Sequence, residues 1–349
     1  MKKIYVNGIS CISAQPTFSG SFLTEYFVNQ EDNILPVIEP SYKEYIPLGA
    51  IRRMSKAVKM GIVASTKALK DAEISVPQAI IVGTGIGCIQ DSEKFLTRIL
   101  DNDEQHLTPT AFIQSTHNTV AGQIALNLPC KGLNFTFVNG ATSFESAVLE
   151  AKMQLQQEYL DNALVGGIDE NSVYTNNLYE IEKIIKPKSE APFSIFEATQ
   201  GVVFSEGTSF FVLSNSKNTT TYAELVAVFF VNKTQNITDF VIDFLSKNGM
   251  KIEEIDILIS GRNGNTADEK GFDQVEEMFS VPKIYYKHLS GEYFTASSFG
   301  FWIACNVLKN NQIPDVLRKE KNDLKPIKNI LLYNQFQGKD HSLILLRNV

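Results

Sequence analysis

Cysteine and histidine are scarce in this chain, with four of each in 349 residues. The cysteines, Cys11, Cys88, Cys130 and Cys305, are scattered, with no Cys-x-x-Cys pair and no histidine at ligand spacing. A disulfide framework and a metal site are therefore not expected, and the pattern reads as buried free thiols of a cytoplasmic protein. A run of about 18 apolar residues is also missing, so no membrane-spanning helix is expected. Lys2 and Lys3 precede only a short apolar stretch, which reads as a first strand rather than a signal peptide. Basic residues number 32 against 39 acidic ones, a net charge of -7, with no polybasic run. That balance weighs against nucleic acid and anionic membrane surfaces as partners. An acidic protein partner would need a local basic patch, which the overall charge does not advertise.

What is present is the composition of an ordinary soluble protein, 44% hydrophobic and 20% charged. The length suggests two domains or two packed halves. Strand-like apolar runs alternate with helical periodicity, which argues for layered α/β architecture. Ile51, Met54, Val58 and Ile62 recur at helical spacing in a segment running to about Asp71. Ala79 to Val82 reads as a buried strand ending in Gly83-Thr84-Gly85-Ile86-Gly87, followed by a helix carrying Phe95, Leu96 and Leu100. The strand Asn134 to Val138 runs into Asn139-Gly140-Ala141-Thr142 and a long helix through about Leu160. The second half repeats this grammar: strands Ile255 to Ile259 and Lys283 to Tyr286, a helix from Thr295, then strands 329–332 and 342–346. The halves are expected at 1–215 and 220–349, with 180–192 as a surface excursion.

Single motifs are weak here. The glycine turn 83–87 sits between a strand and a helix, as a dinucleotide fingerprint does, but its third glycine is replaced by Cys88 and no acidic residue follows a second strand. A tight turn is the expected reading, and no cofactor is implied. The chain has no Gly-x-x-x-x-Gly-Lys loop, Gly-x-Ser-x-Gly elbow or His-Glu-x-x-His helix. His106, His117, His288 and His341 share no spacing and read individually as structural.

The order of the motifs says more. Val6-Asn7-Gly8-Ile9-Ser10, Arg52-Arg53-Met54, Ile81 to Gly87, Phe112 to Gly122, Val165 to Glu170, Pro192-Phe193-Ser194 and Gly201 to Gly207 occur in sequence. Together they resemble the β-ketoacyl-acyl-carrier-protein synthases of the thiolase fold over nearly the whole chain. The resemblance implies duplicated α/β halves in a layered α-β-α-β-α arrangement. It also implies a Cys-His-His set that condenses acyl thioesters, and the chain departs from it at all three positions. Gly140 stands where the nucleophilic cysteine belongs, at a helix N-terminus that would favour thiolate. Gly261 takes the place of the first histidine, in Gly261-Arg262-Asn263-Gly264-Asn265. Lys287 and Gly291 of the second histidine's motif are kept, but Glu292 follows them. His288 is expected on the other side of that turn. The gating loop is shortened to Asn334-Gln335-Phe336-Gln337-Gly338. Without the nucleophile and both imidazoles, acyl transfer and enolate stabilisation both lose their groups.

Such degenerate chains are similar to chain-length-factor subunits, which pair with an intact ketosynthase in fatty-acid, polyketide or aryl-polyene-type pathways. There glutamine, not glycine, usually replaces the cysteine. The implied partners are an intact ketosynthase and an acyl carrier protein, or a second copy of this chain. By the same resemblance, Gln114, Thr116, His117, Asn118, Phe135 and Phe137 would form the dimer interface and face the acyl pocket. Two other readings stand beside this one. One is a divergent acyl-thioester enzyme using Glu292 and Lys287; the other is a homodimeric protein that binds an acyl chain or acyl carrier protein without turnover.

Overall fold

The structure, a computed structural model, describes residues 2–19, 21–107, 109–319 and 326–349. Its strands are β1 (Tyr5–Ile12), β2 (Ile34–Leu35), β3 (Ala79–Gly83), β4 (Leu133–Phe137), β5 (Asn162–Asp169), β6 (Phe204–Ser205) and β7 (Gly207–Ser214) in the first half. The second half supplies β8 (Ala223–Val231), β9 (Ile257–Ser260), β10 (Lys283–Tyr285), β11 (Asn329–Phe336) and β12 (Lys339–Arg347). Helices α1 (Leu48–Ile51), α2 (Lys56–Asp71), α3 (Ile89–Asp101), α4 (Pro109–Ser115), α5 (Thr119–Asn127), α6 (Ser143–Gln156) and α7 (Val173–Ile181) precede the midpoint. After it come α8 (Ile237–Lys247), α9 (Thr266–Glu277), α10 (Lys287–Ser290) and α11 (Ser297–Asn310).

Ten strands form one sheet in the order β10-β9-β11-β12-β8-β1-β7-β5-β3-β4, while β2 and β6 pair separately. The halves mirror each other pair by pair. β3 is parallel to β4 and β5, as β9 is to β10 and β11. β5-β7-β1 then run antiparallel in turn, as β11-β12-β8 do. The halves meet in a short seam, Tyr5 with Glu224 and Val6 with Ala223.

Alternation along the strands builds the layers, because successive side chains point to opposite faces. Ala79 and Ile81 of β3, and Ile330 and Leu332 of β11, face one shared core with Phe144 and Ala147 of α6 and Phe301 and Ile303 of α11. Ile80 and Val82 turn the other way, onto Val63 of α2 and Ile124 of α5. Leu331 and Leu343 likewise turn outward, onto Val241 of α8 and Phe272 of α9. Helices α6 and α11 are thus sandwiched between the two half-sheets, with α2/α5 and α8/α9 as outer layers. This is the expected layered α/β arrangement.

Several expectations need correction. The helix read continuously from Ile51 is broken: α1 ends at Ile51 and α2 begins after Ser55, whose hydroxyl accepts from Val58 N at 3.1 Å. That cap supplies the acceptor a helix start needs, and it overrides the periodicity. The stretch 180–192 is no simple surface excursion, since Ile185 is fully buried and bridges to Val202, and Lys186 is buried beside it. Cys130 is only half-buried, unlike the other three thiols.

A candidate elbow site and its surroundings

Gly140 sits where β4 hands over to α6. It opens a tight turn, Gly140–Thr142, that runs directly into the helix, with a left-handed φ of +55°. Hydroxyls hold this elbow. Ser143 Oγ accepts from Asn139 N at 2.8 Å and donates to Gly140 O at 2.7 Å, and Asn139 Nδ2 donates to Ser146 Oγ at 2.9 Å. A Cβ added at 140 would approach just one neighbour within 4 Å, Asp340 Oδ2 at 3.9 Å. The backbone is shaped to present a side chain into open space, and it carries none.

At Gly261 the opposite holds. It follows β9, and a Cβ there would stand 2.2 Å from Asn334 Oδ1 and 3.1 Å from the Tyr286 hydroxyl. Asn334 lies near the end of β11, next to the tight β11–β12 hairpin. Gln337 and Gly338 both take positive φ at its tip, as a two-residue turn of the type that matches strand twist requires. The next residue, Arg262, is buried and clasped by Glu269, Asp273 and Glu276 at 2.5, 2.5 and 3.0 Å, so the turn is pinned to α9.

Glu292 and Lys287 are brought into direct contact. The pair spans α10 and Gly291, whose φ is +65°, and Lys287 Nζ lies 2.5 Å from Glu292 Oε2. Asn263 Nδ2 donates to the same oxygen at 2.9 Å. Both side chains are buried. Burial raises the Glu292 carboxyl, and Lys287 and Asn263 oppose that rise.

Two further buried carboxyls escape the sequence reading as site residues. Glu145 of α6 accepts from Ser342 Oγ at 2.8 Å through one oxygen, its other oxygen has no partner among the described residues, and burial raises it. Asp169 ends β5 and gathers the glycine turn. Its Oδ1 accepts from Gly85 N at 2.8 Å, Ile86 N at 3.3 Å and Thr84 Oγ1 at 3.2 Å, and its Oδ2 from Thr295 N and Oγ1, both at 2.9 Å. The amides that a dinucleotide phosphate would need are therefore directed at a carboxylate of the chain itself. Glycine at 85 also makes room for Phe294, whose Cγ would lie 2.2 Å from a Cβ there.

The residues expected at an interface lie along the open edge of the sheet, where β4 pairs with β3 alone. Phe135 is 41% exposed and Phe137 half-buried. Gln114 is half-buried, while Thr116, His117 and Asn118 are exposed, with His117 packed against the Gly87 turn. Phe112, Ile113, Leu126, Leu133 and Val138 are also exposed on this side of the fold, on α4, on α5, in β4 and just after it. His288 lies by Lys287, and its Nε2 donates to Val316 O at 2.9 Å.

One feature is unforeseen. A groove of about 530 Å³ is lined by Arg52, Arg53, Lys94, Arg98 and His106, with Asp91 as its one acidic lining residue. The Arg52-Arg53 pair and the helical spacing of Lys94 and Arg98 were the signal, but only the fold brings them together. No helix among the described residues is long and apolar enough to cross a membrane.

Comparison with known proteins accounts for this arrangement. Residues 41–218 match the family model for the N-terminal domain of beta-ketoacyl synthases. A 3-oxoacyl-[acyl-carrier-protein] synthase 2 from Staphylococcus aureus is 22% identical over 208 residues, covering 53% of this chain and 49% of the relative. The chain thus spans about half the length of the sequence relatives it matches. Among solved structures, the ishigamide ketosynthase/chain length factor superposes with a TM-score of 0.82 at 16% identity, covering 100% of this chain and 99% of that one. A beta-ketoacyl synthase from Burkholderia phymatum gives 0.79 at 15% identity, with 100% of both chains covered. With its layered halves and its β4–α6 elbow, this chain belongs to the beta-ketoacyl synthase family and has the thiolase-like fold of that family.

Proposed function

We propose that this chain is a ketosynthase-like subunit of the chain-length-factor type. It has no condensing activity of its own and partners an intact β-ketoacyl synthase in cytoplasmic fatty-acid, polyketide or aryl-polyene-type chain assembly. The observation that carries this reading is Gly140: the elbow is built and hydrogen-bonded, yet offers nothing to acylate. The space of a first imidazole is filled by Asn334, and Glu292 is engaged by Lys287 and Asn263. The closed Lys287–Glu292 contact speaks for a structural pair and against acid–base chemistry there. The two halves are taken as 1–215 and 220–349.

The β4 edge is the docking face for the partner. A five-residue edge strand with exposed Leu133 and Phe135 presents unpaired backbone groups and apolar side chains, a surface that favours pairing with another chain. The basic groove at Arg52, Arg53 and Lys94 supports the second partner, an acidic acyl carrier protein, despite the net charge of -7.

The test is reconstitution. Mixed with its intact ketosynthase, the chain should sediment as a stable dimer and Phe135→Asp should release it. The chain alone should show no acyl adduct by intact-protein mass spectrometry. In the active pair, Thr116→Trp should shorten the products without stopping turnover. A condensation product from the isolated chain, or a monomer that ignores every ketosynthase offered at micromolar concentration, would defeat the proposal.

A further inference from the structure

A cavity of about 240 Å³ lies against β10, the strand at the far end of the sheet from β4. Residues 28–30, 193–196 and 316–318 wall it, and Asn263, Lys287, His288 and Glu292 line it as well. Three observations describe what would fill it.

The first is charge. Lys186, Lys287 and Arg318 line the cavity against a single carboxylate, Glu292, which Lys287 already engages at 2.5 Å. Lys186 is 1% exposed, and its ammonium donates to Thr199 Oγ1 at 2.7 Å and Gly264 O at 2.8 Å, both neutral acceptors. No carboxylate among the described residues stands within 4.0 Å of it. Glu190 and Glu269 act on it only from beyond that distance, and a buried ammonium with no counter-charge in contact is costly, a cost that a bound anion would offset.

The second is unmet hydrogen bonding. Arg318 bonds Asp315 through one terminal nitrogen, yet its Nε is buried with no acceptor among the described residues. His288 Nδ1 is buried and unpartnered as well, but it is an acceptor, since Nε2 donates to Val316 O and burial lowers the imidazole's pKa, so it adds no donor for an anion. Both residues line the cavity.

The third is the apolar wall. Phe193 is buried, and Phe196 meets Tyr285 edge-on with ring centroids 4.9 Å apart. Such a wall suits a flat apolar body. The volume falls below the roughly 300–1,000 Å³ of drug-sized sites, so the ligand is small.

We propose that this cavity binds a small carboxylate with a flat apolar body, its charge held by Lys186 and Arg318 Nε and its body against Phe193, Phe196 and Tyr285. The site is separate from Gly140 and the β4 edge, although it shares Asn263, Lys287 and Glu292 with the surroundings described above, and it does not depend on the assembly reading.

Isothermal titration calorimetry on the full chain tests this with benzoate as the probe, benzamide as its neutral isostere, and inorganic phosphate. Benzoate should bind with a Kd below about 1 mM, and benzamide at least about tenfold more weakly, as loss of a charge-assisted hydrogen bond implies. Lys186→Met should weaken benzoate by about tenfold or more. Because that change strips buried hydrogen bonds, Arg318→Gln serves as a second variant with the same expected loss. Equal binding of benzamide would remove the charge argument, and equal or tighter phosphate would remove the apolar one. No benzoate binding, or full affinity in whichever variants fold, would overturn the site itself.

Discussion

Asn334 Oδ1 and Gly261 exclude each other's growth: a Cβ at 261 would lie 2.2 Å from that oxygen. Real Cβ atoms do not approach so closely, so any side chain at 261 must displace the amide. Gly261→Ala should destabilise the chain by about 1–3 kcal/mol, the usual cost of overpacking. Asn334→Ala should relieve much of it, since the two changes share one space. Denaturant unfolding of the four-member cycle reads the coupling, and additive effects would show that Asn334 is not the obstacle. A histidine installed at 261 without a change at 334 should be tolerated less well than alanine.

Lys287 and Glu292 touch, and both side chains are almost wholly buried. Lys287→Met strands a buried carboxylate and should cost about 3–5 kcal/mol. Lys287→Met with Glu292→Leu should recover most of that loss, because the pair is then replaced by apolar groups of similar size. A double variant as unstable as the single one would mean that Glu292 does more than neutralise Lys287.

Glu170 sets a pH dependence of known sign. It accepts from Ala57 N at 2.7 Å and Gln90 N at 3.0 Å. Burial pushes it up from the ordinary 4.5 to about 7, with the charges of Asp91 and Glu206 adding to the rise. The folded chain then holds this proton more tightly than the unfolded chain. Its contribution is full below about pH 4.5 and is lost as pH rises through about 7, a change of up to about 3 kcal/mol. Thermal unfolding across pH 5 to 8 should show the midpoint falling. Asp169, raised by burial to about 6, adds to the same fall, so Glu170→Gln, although less stable overall, should reduce that slope without abolishing it, and an unchanged slope would assign it to other groups.

The parts of this fold that could be read from sequence are those whose burial is uniform. β3, β9, β11 and β12 are apolar on both faces because helices cover both sides, so continuous runs such as Ala79 to Val82 declare them. Gly140, Gly261 and Glu292 were singled out by the order of flanking motifs alone, not by any chemistry of their own. What closes the site was not. Asn334 meets Gly261 only once β11 lies beside β9, and Lys186 reads as a surface lysine until Thr199 and Gly264 are folded onto it. The basic groove was hidden for the same reason: Arg52, Lys94 and His106 come from separate stretches, and net charge averages them away.

The elbow itself can be interrogated by restoring a thiol. Gly140→Cys places a side chain on a left-handed backbone, at a cost of about 1–2 kcal/mol, in space that is otherwise open. The start of α6 favours thiolate there, whereas the Asp340 carboxylate, 3.9 Å from the new Cβ, disfavours it. With the half-buried Cys130 changed to serine to quiet the background, the new thiol should react with iodoacetamide faster than the buried Cys11, Cys88 and Cys305. Adding Asp340→Asn should lower its pKa by about half a unit to one unit and speed alkylation near pH 7 by about threefold to tenfold. An unchanged rate would mean that Asp340 is held away by its bond to Asn232 Nδ2, 2.6 Å from Asp340 Oδ1, and that the helix alone tunes the elbow.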